Sequence, residues 1–155
     1  MIFVTVGTQR QSFKRLIEYI SKSNLKDVII QNGYTKCNYE NIKCLGFMKK
    51  EEMNKYIDDA DYVITHAGIT ILELLEKNKK VIVIPREKRY HEHINNHQFE
   101  ICDELEKEAY ILVAKTYDEF IDCINKINKF KPKKYINNNK KFLYNLEKII
   151  DDYLN

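Results

Sequence analysis

ADYVITHAGITILELLEKNKKVIVIPREKRYHEHINNHQ, residues 60–98, decides the fold. Tyr62, Val63, Ile64 and Thr65 are β-prone and read as a strand, and His66-Ala67-Gly68 is the turn that ends it. Helical spacing then places Ile71, Leu72 and Leu75 on one face. Residues 80–84 (KVIVI) follow as an apolar strand of the kind found where both faces of a parallel sheet are covered. The stretch is one βαβ unit. At its carboxyl edge the turn amides and the helix start, Gly68 to Thr70, offer a positive end to an anion. Arg86, His91, His93, His97 and Gln98 come just after the next strand. Two polar sets on one sheet edge make a crevice, and crevices at the carboxyl ends of parallel strands bind ligands.

Outward from this unit the same logic recurs. Residues 2–6 are a strand ended by Gly7-Thr8-Gln9, and Phe13, Leu16, Ile17 and Ile20 then mark an amphipathic helix with Ser12 as its cap. Residues 27–31 form a strand closed by Asn32-Gly33. Residues 41–47 supply another, and 50–60 a helix with Met53, Tyr56 and Ile57 inward. A helix begun near His93 continues through 107, residues 109–113 are a strand, and Thr116 caps a helix carrying Phe120, Ile121 and Ile124. Strands alternating with helices define an α/β fold with a doubly wound, Rossmann-like parallel sheet. That domain is expected over residues 1–130. Residues 131–155 read as a lysine-rich, solvated linker followed by an amphipathic helix whose stripe is Phe142, Leu143, Leu146, Ile149, Ile150, Tyr153 and Leu154. Contact of the lysines with an anionic surface or acidic partner is the alternative.

Composition bounds the function. A chain of 155 residues makes one domain that buries about 70% of its unfolded surface. A net charge of +3 does not point to nucleic acid. No run approaches a membrane span and the N-terminus is a strand, not a signal peptide, so a cytoplasmic protein is expected. Cys37, Cys44, Cys102 and Cys123 show no CxxC pairing, from which we expect reduced thiols and no zinc site. There is no GxGxxG, no GxxxxGK[ST], no HExxH and no GxSxG. His93 and His97 stand four apart, but no metal or cofactor is assigned. A phosphate-friendly edge with hydrogen-bonding side chains remains, and a nucleotide-sugar fits it best.

Five segments carry a resemblance: VTVGTQ at 4–9, Gly46-Phe47, ADYVITHAG at 60–68, LELLEKNKKVIVIPR at 72–86 and EHINNHQFE at 92–100. In this order they resemble the donor-binding half of GT-B glycosyltransferases of family 28, above all the single-domain subunits of the Alg13, PssE and EpsF kind. The resemblance implies a site. Gly7, Thr8 and Gln9 match the first turn near the donor diphosphate, and Gln31 and Gly33 match the second turn. Phe47 and Met48 match the strand end that holds the uracil. His66, Ala67 and Gly68 match the turn under the phosphates, followed by Ile69 and Thr70, and Glu73 matches the acid that accepts from the ribose hydroxyls. Arg86, His93, His97 and Gln98 match the loop around the sugar, with Gln98 holding its hydroxyls and Arg86 helping to balance diphosphate charge. Relatives carry one more residue after HAG, so the turn before Ile71 is shorter here.

The resemblance further implies a two-component, inverting, metal-independent transferase. This chain would bind a UDP-sugar, and a membrane-anchored partner subunit of the Alg14 or PssD kind would present a lipid-linked sugar acceptor. The chain would then lie at the cytoplasmic face of the membrane through its partner. The general base would come mainly from that partner, with His66 and His93 as local candidates. The alternative is a non-catalytic UDP-sugar-binding regulatory module. Each assignment also has a plainer reading: the glycines as ordinary turns, Phe47 and Met48 as core, Glu73 as a solvated face, and Arg86 paired with Glu87 or Glu92.

Overall fold

The computed structural model describes residues 1–136 and Lys148. Four strands form the centre of one sheet: β1 (Ile2–Thr5), β2 (Val28–Gln31), β4 (Tyr62–Thr65) and β5 (Val81–Val83). Two-residue strands, β3 (Lys43–Cys44) and β6 (Leu112–Val113), close its edges. The order is β3-β2-β1-β4-β5-β6, and every pairing is parallel. β1 is central, with Ile2 opposite Val28 on one side and Tyr62 on the other. The doubly wound sheet expected from the alternating pattern is therefore the one observed.

Five α-helices cover the sheet among the described residues: α1 (Lys14–Lys22), α2 (Lys50–Asp59), α3 (Thr70–Glu76), α4 (Gln98–Lys107) and α5 (Tyr117–Ile127). Residues that alternate along each strand point to opposite faces, so the sheet has two cores. Phe3, Val63, Val81 and Val83 pack with Ile57, Leu74 and Ile101 of α2, α3 and α4. Val4, Ile30, Ile64 and Ile82 pack with Leu16 and Phe120 of α1 and α5. Burying such a side chain stabilises the fold by about 1.5–3 kcal/mol, which explains the unbroken apolar run in β5. Thr116 caps α5 as expected. Its hydroxyl accepts from Glu119 N–H at 3.2 Å, and the Glu119 carboxylate accepts from Thr116 N–H at 3.1 Å.

Local detail departs from the sequence reading in several places, among them β6, which spans Leu112–Val113 and not residues 109–113. Ser12 does not cap α1; Phe13 sits at the cap position, and its N–H donates to Thr35 Oγ1 at 3.0 Å. α4 starts at Gln98, not near His93, because Asn95 Oδ1 takes the His97 N–H at 3.0 Å and Asn96 Oδ1 takes the Lys88 N–H at 2.9 Å. These side chains hold residues 88–97 as a polar loop. β3 is much shorter than residues 41–47. Cys37 and Cys44, expected to be reduced, are joined as a disulfide, their Cα atoms 6.3 Å apart where the chain doubles back into β3. Finally, residues 131–136 are solvated at Lys131, Lys133 and Lys134 as expected, but the segment is anchored: Lys133 N–H donates to Ala109 O at 2.9 Å. Tyr135 lies buried, its ring edge-on to Tyr110 at 5.7 Å. The amphipathic stripe from Phe142 to Leu154 lies outside the described residues. No helix among the described residues is long and apolar enough to cross a membrane.

Candidate functional site

A cavity of about 320 Å³ opens at the carboxyl ends of the central strands. Strand order reverses beside β1, with β2 on one side and β4 on the other, and the crevice at such a reversal is where doubly wound sheets bind ligands. Gly7, Thr8 and Gln9 line it from the turn after β1, Gln31 from the end of β2, and Phe47 and Met48 from the segment after β3. His66, Ala67, Gly68, Ile69 and Thr70 line it from β4 into α3. Three turns distant in sequence thus converge on one hollow. Thr5, Met53 and Ile101 also form its walls and were not anticipated. Met53 and Ile101 sit on inward helix faces, a pattern that signals core and cannot distinguish core from cavity wall.

Hydrogen bonds knit these turns together. Thr5 Oγ1 donates to Gln31 Oε1 at 2.5 Å, while Gln31 Nε2 donates to Gly46 O at 3.3 Å. Gly33 lies just outside the wall, its N–H donating to Gly46 O at 3.1 Å. Phe47 is 52% exposed at the mouth, with Tyr34 edge-on to it at 4.7 Å. An exposed aromatic ring at the cavity mouth offers a stacking face for a flat heterocycle.

His66 is the buried hub. Its Nε2 lies where a Cβ on Gly7 would fall, and a Cβ on Gly68 would sit 2.6 Å from its Cε1. The absent side chains at both glycines therefore make room for this imidazole. On its other edge, Gln98 Nε2 is 3.1 Å from His66 Nδ1. Burial above all, then the charges of Arg86 and His93, push the His66 pKa from 6.5 to about 3, against a smaller upward pull from Gln98. So low a basicity disfavours His66 as a general base at neutral pH. His93 is also buried, with its pKa pushed down by desolvation first. It lies beyond the cavity wall, its Nδ1 accepting from Asn95 N–H at 3.2 Å.

Several residues expected at the ligand are bonded to groups of the chain itself. Arg86 is fully buried; Nη1 donates to Gln11 O at 2.8 Å and Glu92 O at 2.9 Å, and Nη2 to Val6 O at 2.6 Å. Its guanidinium stacks 4.7 Å from the Phe13 ring centre, so it ties the β1 turn to the loop after β5, and it is not among the residues that line the cavity. Gln98, expected to hold sugar hydroxyls, is fully buried as well. Its Oε1 accepts from Ala67 N–H at 3.1 Å and Arg86 N–H at 2.8 Å. His97 precedes α4 and is not a wall residue. Glu73 stands one turn into α3, outside the wall, with its carboxylate 2.8 Å from Lys50 Nζ. Among the described residues no group of three His, Cys, Asp or Glu side chains is arranged to hold a metal ion.

A parallel doubly wound sheet with its hollow at the strand reversal defines an α/β domain of the Rossmann-like class. The chain matches the glycosyltransferase family 28 C-terminal domain over residues 1–153, and it belongs to that family. It is 33% identical over 125 residues to the human UDP-N-acetylglucosamine transferase subunit ALG13, covering 71% of this chain and 10% of that protein. The subunit of the same name from Candida albicans is 38% identical over 72 residues, 46% of this chain and 23% of that one. The chain thus spans about a tenth of its human relative's length. MurG of Acinetobacter baumannii is similar in fold, with a TM-score of 0.52 at 14% identity, covering 97% of this chain and 44% of MurG.

Proposed function

We propose that this chain is the donor-binding subunit of a two-component inverting glycosyltransferase that takes its sugar from a UDP-sugar. The observation that carries the reading is the open hollow at the β1–β4 reversal, walled by the turns after β1, β3 and β4. The name of the human relative favours N-acetylglucosamine as the sugar. The diphosphate lies over the Gly7-Thr8-Gln9 and Gly68-Ile69-Thr70 turns, where backbone N–H groups meet its charge. Phe47 flanks the base. Glu73 exchanges its exposed Lys50 partner for the ribose hydroxyls.

In the transfer step the acceptor hydroxyl oxygen bonds to the anomeric carbon from the face opposite the leaving group. The bond from that carbon to the β-phosphate oxygen breaks, and UDP departs with the electron pair. The hydroxyl proton goes to a base. His66 is too weak a base and His93 lies behind the wall, so a partner subunit supplies it. That partner is membrane-anchored and presents a polyprenyl-diphosphate-linked sugar, which places this chain at the cytoplasmic face. Charge stabilisation by turn amides makes a divalent ion unnecessary. The test is sugar transfer from labelled UDP-N-acetylglucosamine to a polyprenyl-diphosphate-linked sugar, in membranes carrying the acceptor subunit. Transfer that needs both chains and survives a metal chelator is expected. Binding of UDP-sugar with no transfer under any pairing overturns the catalytic part of the reading.

A further inference from the structure

We infer that Gln98 is a positioning residue that locks His66 as the neutral Nε2–H tautomer, so the cavity floor presents one fixed N–H donor to an anionic oxygen. The tautomer follows from hydrogen bonding alone; the ligand, a diphosphate oxygen, rests on the function proposed above.

The orientation of the Gln98 amide is fixed by what surrounds its oxygen. Two backbone N–H groups, from Ala67 at 3.1 Å and Arg86 at 2.8 Å, point at one amide atom. An NH2 group cannot accept from either, so that atom is the carbonyl oxygen. The NH2 group then faces His66 Nδ1 at 3.1 Å and donates to it. An Nδ1 that accepts carries no hydrogen. A neutral imidazole has one N–H, which therefore sits on Nε2. His66 lines the cavity, and Nε2 is at the edge of the ring beside Gly7 and Gly68, between the two turns. The groups whose charge bears on the ring are Arg86 in the loop after β5 and His93 in the loop before α4. Both oppose protonation, so the ring stays neutral through the physiological range.

The arrangement also joins the site mechanically. One buried amide bonds the turn after β4, the loop after β5 and the imidazole between the glycines. A donor held this way needs no reorganisation when negative charge grows on a leaving diphosphate.

The full-length chain labelled with ¹⁵N tests this by long-range ¹H–¹⁵N correlation spectra of His66, with and without UDP, together with the variant Gln98→Glu. Wild type should show an unprotonated Nδ1 and a protonated Nε2, unchanged between pH 6 and 8, and UDP should shift the Nε2 signal. In Gln98→Glu the carboxylate still accepts both amides but can only accept from the imidazole. The hydrogen moves to Nδ1 and a lone pair faces the cavity. UDP affinity should then fall about tenfold or more at pH 8, the loss of a charge-assisted hydrogen bond. It should recover as the pH is lowered and the His66 signals report a second proton, which restores Nε2–H. Wild-type spectra with the hydrogen on Nδ1 overturn the inference, and they do so even if the variant does not fold. A folded variant with wild-type affinity and pH profile overturns it too. Wild-type spectra as expected but no response to UDP leave the tautomer lock standing and overturn the diphosphate reading.

Discussion

The imidazole of His66 occupies the volume that a Cβ on Gly7 would need, and Gly7 holds a φ of +82° that other residues rarely adopt. Gly7→Ala therefore meets a clash and backbone strain together and should destabilise the fold by about 2–3 kcal/mol. Gly68→Ala meets the clash without the strain and should cost less. Truncating the imidazole relieves the clash alone, so in a His66→Ala background Gly68→Ala becomes nearly neutral while Gly7→Ala keeps part of its cost. Urea unfolding of the five variants checks this. Additive effects with no coupling to His66 would show that the glycines serve another purpose.

Burial gives stability a pH dependence with a definite sign. The His66 pKa is about 3 in the folded chain against 6.5 ordinarily. Between these values the unfolded chain binds a proton that the folded chain does not. The fold is thus at full strength above the unfolded value and loses stability as the pH falls, by up to about 1.4 kcal/mol per pH unit from this group. Unfolding at pH 7, 6 and 5 should show this slope in wild type and a flatter one in His66→Gln. Parallel slopes would contradict the assignment.

Glu73 and Lys50 form an exposed ion pair at 2.8 Å. Glu73→Ala should leave the melting temperature nearly unchanged, since exposed pairs contribute little. If the carboxylate takes the ribose hydroxyls, the same change should weaken UDP binding about tenfold or more. Calorimetric titration of the variant reads it; unchanged affinity removes Glu73 from the site.

Arg86 makes the opposite prediction. Its guanidinium bonds three main-chain carbonyls, and Arg86→Met leaves them without those donors. A loss of more than about 3 kcal/mol in chemical denaturation is expected. A variant as stable as wild type but impaired in UDP binding would return Arg86 to a ligand role.

The contrast between these residues shows how far the sequence could be read. β1, β4 and β5 are legible because a strand covered on both faces must be apolar throughout, and the turns at Gly7 and Gly68 because the chain stops being apolar there. The cavity wall at residues 7–9 and 66–70 follows from those strand ends, whereas Gln31, Phe47 and Met48 were implied only by the family resemblance. Arg86 and Gln98 are different: their residue types announce polar function, but which groups they meet depends on loops far apart in the chain. Arg86 reaches Val6, 80 positions away, and no local pattern encodes that approach. The Cys37–Cys44 bond is hidden for the same reason, since it depends on how the chain turns back before β3. α4 starts late because Asn95 and Asn96 bond to nearby main-chain groups in place of a helical turn.

Calorimetric titration of UDP into the full-length chain tests the central claim, that the hollow between the β1 and β4 turns holds a uridine diphosphate. Saturable binding at one site is predicted, weaker for UMP and weakest for uridine, because the turn amides address the phosphates. No heat from millimolar UDP with the chain folded, or equal affinity for UDP and uridine, would contradict it.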